Sequence, residues 1–171
     1  AQATNDKDEV IRIARNILIT NSSRHPIEEY YNILKGVIKD DEWIHFIDQI
    51  ILYIKTKPHW RNNTLIADIY ILEENWEYLL NFIKESDLSN SIEHYEQYLA
   101  KPYPNELSEL YTEYVKDYLV HNVGRNYYKS ACRYIRRIIK LGNRDMATEL
   151  ITYLRKEYPT RRALLEELEN V

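Results

Sequence analysis

Five histidines, one cysteine and a few grouped carboxylates are the side chains of this sequence best suited to bind a metal or to act as nucleophile or base. The histidines are His25, His45, His59, His94 and His121. None sits four residues from another, so no single helix turn offers two imidazoles to one ion. Glu42 and His45 form a Glu-x-x-His step. That spacing puts both side chains on one helix face, as in di-iron carboxylate proteins, which need the step twice plus further carboxylates. A second copy is missing, so His45 is expected to pack beside Trp43 with its ring nitrogens in water. Glu73-Glu74 and Glu166-Glu167 are neighbours in sequence. Adjacent helix positions diverge and do not make an acid–base pair. These carboxylates read as solvated or helix-end charges. Cys132 lies in an apolar stripe with Ala131 and Ile135, the setting of a buried thiol and not of a nucleophile. A lone cysteine excludes an intramolecular disulfide and a cysteine-based zinc site. Three glycines in the whole chain leave no phosphate-cradling loop and no Gly-x-Ser-x-Gly turn. The expectation is a protein without catalytic residues, metal or cofactor.

Two groupings suit binding. Arg133, Arg137, Lys140 and Arg144 stand at i, i+4, i+7 and i+11, with Lys129 and Arg136 flanking them. Such a face fits an anionic partner, including the phosphates of a nucleic acid. Tyr127, Tyr128 and Tyr134 are interleaved and suit base stacking. Gly142 is expected to end the helix before Arg144. An ordinary solvated helix face, neutralised by Asp145, Glu149 and Glu157, accounts for the same pattern. The second grouping is aromatic: Tyr111, Tyr114 and Tyr118 at i, i+3 and i+7, with Tyr95 and Tyr98 in the segment before. Tyrosine suits a half-wet groove where a peptide or partner helix lies. It equally fills a core with its hydroxyl at the edge.

These residues need helices to position them, and the apolar pattern supplies about ten. The stripes begin with Val10–Leu18, Ile27–Ile38 and Trp43–Ile54. Then come Leu65–Tyr70, Trp76–Ile83, Ile92–Leu99, Leu107–Tyr118, Tyr127–Ile139, Met146–Leu154 and Leu164–Leu168. The punctuation is a polar break from Thr20 to Pro26, caps at Asp40/Asp41, Asn75 and Ser89, Pro58, Pro102, Pro104, Gly124, Gly142 and Pro159. No strand is evident.

The 171 residues fit one α-helical domain, 1–171, and 44% hydrophobic with 29% charged residues excludes disorder. The start, Ala1-Gln-Ala-Thr4, lacks a methionine, as a piece of a longer protein would. No apolar run reaches membrane-spanning length, and one cysteine fits a reducing cytoplasm. The formal charge of −4 is uneven: 12 Lys/Arg and 21 Asp/Glu before residue 121, 11 and 6 from there on. Shifting the chain by 33 places Ile38 on Ile71, Trp43 on Trp76 and Ile47 on Leu80. A shift of 68 places Ile71 on Ile139 and Asn75 on Asn143. A period near 34 is that of tetratricopeptide helix pairs. Residues 84–123 fit it poorly. The expected fold is therefore an irregular right-handed superhelix of antiparallel helix pairs, a TPR-like α-solenoid.

Two stretches carry a resemblance: Ala67-Asp-Ile-Tyr-Ile-Leu-Glu-Glu-Asn-Trp-Glu-Tyr-Leu-Leu80, and Asn122-Val-Gly-Arg-Asn-Tyr-Tyr-Lys-Ser-Ala-Cys-Arg-Tyr-Ile-Arg-Arg137 on through Lys140-Leu-Gly142 to Tyr158-Pro-Thr-Arg-Arg-Ala-Leu-Leu-Glu166. Over residues 60–171 the chain resembles the helical C-terminal region of bacterial SWIM zinc-finger proteins. That family's Cys-x-Cys…Cys-x-His motif is absent here, and no zinc ligand carries over. The resemblance implies a helical tail associated with nucleic-acid or protein binding. Together these readings favour a non-catalytic scaffold for an unknown protein or peptide. An accessory nucleic-acid-binding module using the basic C-terminal helix is the alternative.

Overall fold

A computed structural model describes residues 2–20, 27–56, 60–86 and 91–171. Among the described residues the chain is all-α, with ten helices and no strand. They are α1 (Gln2–Thr20), α2 (Ile27–Val37), α3 (Asp40–Lys55), α4 (Trp60–Leu72), α5 (Trp76–Glu85), α6 (Ile92–Leu99), α7 (Pro104–His121), α8 (Arg125–Lys140), α9 (Arg144–Glu157) and α10 (Arg162–Leu168). The expected break at 21–26, the stop at Pro58, the cap at Ser89, and His25 and His59 lie outside the described residues. The helices fall into two compact units, residues 1–75 and 76–171.

In the first unit α1 packs on α2 and α3 on α4. Helix α3 buries Trp43, Ile47, Ile50, Ile51 and Ile54, a stripe of helical period that keeps one face dry. Asp40 and Asp41 do not cap it. The N-cap position is Lys39, without a side-chain cap bond, and both aspartates lie with Glu42 in the first turn. There their charge favours the helix dipole instead. At the other end Asn62 donates its side-chain amide to the Ile54 carbonyl at 3.3 Å, satisfying one acceptor that the helix cannot pair itself.

In the second unit α8 is the hub, packed against α7, α9 and α10, while α6 packs on α7 and α5 on α6. It buries Tyr128, Ala131, Cys132, Ile135 and Ile138 against them. Pro104 opens α7 at the first helical position, where its fixed φ suits the helix and its missing N–H costs nothing.

Helices α4 and α8 end in the same turn. Glu74 N–H donates to the Ile71 carbonyl and Asn75 N–H to Tyr70. Gly142 N–H donates to Ile139 and Asn143 N–H to Ile138. The left-handed residue is Glu74 (φ 52°) in one and Gly142 (φ 92°) in the other. This double bonding is the Schellman end, which favours glycine because only glycine lacks the Cβ that crowds the following carbonyl. The two turns sit at the 68-residue offset at which the sequence aligns with itself. Asn143 then anchors its turn: its amide donates to the buried Ser108 hydroxyl at 2.9 Å and to the Pro104 carbonyl at 3.2 Å.

Candidate functional site

The candidate surface lies on α6, α7 and α8 of the second unit. Lys129, Arg133, Arg136 and Lys140 are exposed and form one stripe along α8 at i, i+4, i+7 and i+11. Helix α8 is strongly two-faced, so its apolar side fixes this stripe toward water. Arg137 is turned from the stripe toward α6. Its guanidinium lies 2.8 Å from Glu96 and 3.4 Å from Glu93. Arg133 reaches Glu93 at 3.2 Å, and Arg136 donates to the Asn170 carbonyl at 3.1 Å. Arg144 belongs to α9, beyond the Gly142 turn. Lys129, Lys140 and Arg144 have no carboxylate within 4.0 Å among the described residues. The neutralising groups are Glu93 and Glu96 from α6, and Glu166 and Glu167 from α10, which hold Arg125. Asp145, Glu149 and Glu157 make no such pair.

Beside this stripe runs a ladder of tyrosines. Tyr134 of α8 contacts Tyr114 edge-on, with centroids 4.9 Å apart, stacks on Tyr111 at 5.8 Å and reaches Tyr118 at 6.5 Å. Tyr114 stacks on Tyr118 at 5.7 Å, and Tyr118 meets Tyr127 at 6.1 Å. The i, i+3, i+7 spacing on α7 faces the 127 and 134 positions of α8, which is why the rings interdigitate. Arg133 lies over the Tyr134 ring at 5.2 Å. Of the five expected groove aromatics, Tyr95 and Tyr111 are buried and belong to the core. Tyr98 is half-buried, stacked on Trp76 at 5.6 Å. Tyr114 and Tyr118 are half-buried in the ladder. Tyr127 and Tyr134, read in the sequence as base-stacking candidates, complete it, and Tyr128 is buried.

The electrostatics are settled inside the unit. Glu96 accepts the Tyr111 hydroxyl at 2.5 Å. Burial, then that bond and the Glu96 charge, hold the Tyr111 phenol far above its ordinary range. Burial and the neighbouring Tyr134 push Tyr114 up to about 12. Burial pushes the Cys132 thiol up to about 11, so at neutral pH it is a protonated, inert thiol.

The first unit contains a network absent from the sequence reading. Glu73 Oε1 accepts the Tyr31 hydroxyl at 2.5 Å and the Trp43 indole N–H at 2.7 Å, with Lys35 at 3.8 Å. Glu73 is thus a structural carboxylate and not a solvated charge. Tyr31 and Glu73 are 42 residues apart, and no local pattern marks such a pair. His45 is exposed, as expected for ring nitrogens in water. Among the described residues no group of three or more His, Cys, Asp or Glu converges on a metal-sized site. No helix there is long and apolar enough to cross a membrane.

No family model matches the chain, and no curated protein and no solved structure is significantly similar to it.

Proposed function

We propose that the chain is a non-catalytic helical-repeat scaffold that binds a protein or peptide through the tyrosine ladder of α7 and α8. The observation carrying this reading is the ladder itself. Tyr114, Tyr118 and Tyr134 are half-buried, and Tyr127 is 45% exposed. Rings held rigidly in a row offer apolar area at little cost in side-chain entropy, and their hydroxyls serve polar groups at the rim. The recurrence of the α4 and α8 turns supports a TPR-like superhelix of helix pairs. The resemblance to the helical tail of SWIM zinc-finger proteins supports an accessory role beside other domains. A protonated buried Cys132 supports a chain without nucleophilic chemistry and suits a reducing cytoplasm.

The test is selection from a displayed peptide library, with affinity then read by anisotropy on the full chain. Selected peptides should lose about tenfold or more in affinity to Tyr118→Ser/Tyr127→Ser, the scale of an aromatic hot spot. Peptides that bind that variant unchanged would sink the reading.

Lys129 and Lys140 favour a second reading. They stand exposed on the α8 stripe without carboxylate partners among the described residues, as phosphate-binding cations do. Salt-sensitive anisotropy of labelled single-stranded and duplex DNA, lost in Lys129→Glu/Lys140→Glu, would support an accessory nucleic-acid-binding module. No binding at low salt would dismiss it.

A further inference from the structure

A cleft of about 490 Å³ opens in the first unit between α1 and α3, with Ile38 also in its lining. Ile11 and Arg15, one turn apart on α1, form one wall. Glu42, His45, Phe46 and Gln49 form the other, at the i, i+3, i+4 and i+7 positions that share a helix face. Its volume lies in the range of small-molecule sites, and its lining mixes apolar side chains with a few polar ones, as theirs does. Ile11, Ile38 and Phe46 supply the apolar part of the lining, and Phe46 is held by stacking on the buried Trp43 at 6.0 Å.

The polar side of the cleft is unbalanced. Arg15 Nε is buried and has no hydrogen-bond partner among the described residues. An atom closed to water is closed to a ligand as well, so an acceptor in the cleft would meet the rest of the guanidinium, which makes no ion pair among the described residues. Glu42 does not fill that role: its carboxylate faces Lys39 at 3.7 Å. A carboxylate is the natural complement of a guanidinium edge. One guanidinium with Glu42 in the same cleft favours a monoanion over a phosphate dianion. One imidazole and one carboxylate are too few ligands for a transition metal.

We propose that this cleft binds a small amphipathic carboxylate. Its acid group lies on Arg15, its hydrocarbon body on Ile11, Ile38 and Phe46, and His45 and Gln49 face any polar substituent. The site is separate from the tyrosine ladder and does not depend on it.

The test is a titration of the isotopically labelled full chain with decanoate, kept below micelle formation and followed by amide chemical shifts. Decanol, with the same tail and no charge, is titrated in parallel. The expected result is saturable shifts confined to residues around Ile11, Arg15, Ile38, Glu42, His45 and Gln49. Binding should weaken about tenfold or more for decanol and for Arg15→Gln, the scale of a lost charged hydrogen bond. Shifts scattered over the chain, no saturation, or equal binding of decanol and decanoate overturns the proposal. If Arg15→Gln disturbs the unliganded spectrum, the decanol comparison decides alone.

Discussion

Tyr111 and Arg137 end on the same atom: the phenol hydroxyl and a guanidinium nitrogen lie 2.5 and 2.8 Å from Oε2 of Glu96. One α6 carboxylate thereby joins a buried α7 side chain to a half-buried α8 cation. Glu73 does the same in the first unit, joining Tyr31 of α2 and Trp43 of α3 at the end of α4. A carboxylate withdrawn from water is tolerable only when donors replace that water, and each donor is fixed by a different helix.

That sharing makes the three residues of the second unit interdependent. Tyr111→Phe removes a donor and leaves Glu96 with Arg137, so a loss of about 1 kcal/mol is expected. Glu96→Ala strands the Tyr111 hydroxyl and leaves Arg137 with Glu93 alone, and about 1–3 kcal/mol is expected. The double variant should lose less than the two single losses added together. Urea denaturation of the four proteins measures this, and strict additivity would show the shared contact to be energetically empty.

Alkaline stability follows from the same tyrosines. The phenols of Tyr31, Tyr111 and Tyr114 all titrate above their ordinary value because burial disfavours the phenolate, with Glu73 and Glu96 adding to it for the first two. A folded-state pKa raised above that of the unfolded chain stabilises the fold below the unfolded pKa, about 10 for tyrosine. The contribution is lost as pH rises through the folded pKa. Stability should therefore be insensitive to these groups near neutrality and fall from about pH 10 upward. In Tyr111→Phe the fall should be shallower. Thermal unfolding at closely spaced alkaline pH values reads both effects.

The paired turns of α4 and α8 allow a reciprocal experiment. Glu74 carries a Cβ at φ 52°, whereas Gly142 has none at φ 92°. Glu74→Gly is expected to stabilise the protein by about 0.5–1 kcal/mol, the steric relief being partly offset by a freer unfolded chain. Gly142→Ala should destabilise it by about 1 kcal/mol, and from strain alone, because no heavy atom lies within 4 Å of the added methyl. A shift of the wrong sign for either in urea denaturation would contradict this account of the two helix ends.

The sequence disclosed what is local. Ten apolar stripes became ten helices, because the 3.6-residue period is a property of each segment alone. Gly142, Pro104 and the buried Cys132 were legible for the same reason. The fate of the basic helix was not. The uneven charge of the chain suggested an outside anion, yet Glu93 and Glu96 of the acidic portion hold Arg133 and Arg137 of the basic one. That pairing spans about forty residues and depends on how α6 lies against α8, which no spacing rule encodes. The division of the tyrosines was hidden likewise. Tyr111, Tyr114 and Tyr118 share one helix face, but only the position of α8 determines that the first is sealed and the others are half open.

The two adjacent arginines of the Tyr-Pro-x-Arg-Arg segment separate a structural role from a surface one. Arg161 donates to the Leu119 carbonyl at 2.7 Å, and its guanidinium stacks on the Tyr158 ring at 3.9 Å. Leu119 lies in the last turn of α7, where carbonyls lack helical partners, so Arg161 caps one helix from the loop before another. Arg162 points into water. Arg161→Lys keeps the charge but loses the planar fork that makes both contacts at once, and about 1–2 kcal/mol of stability should go with it. Arg162→Lys should change nothing measurable in the same denaturation assay. If instead the two substitutions proved equally silent for stability while both weakened DNA binding, the segment would be a phosphate-contacting surface, and the α8 stripe would extend onto it.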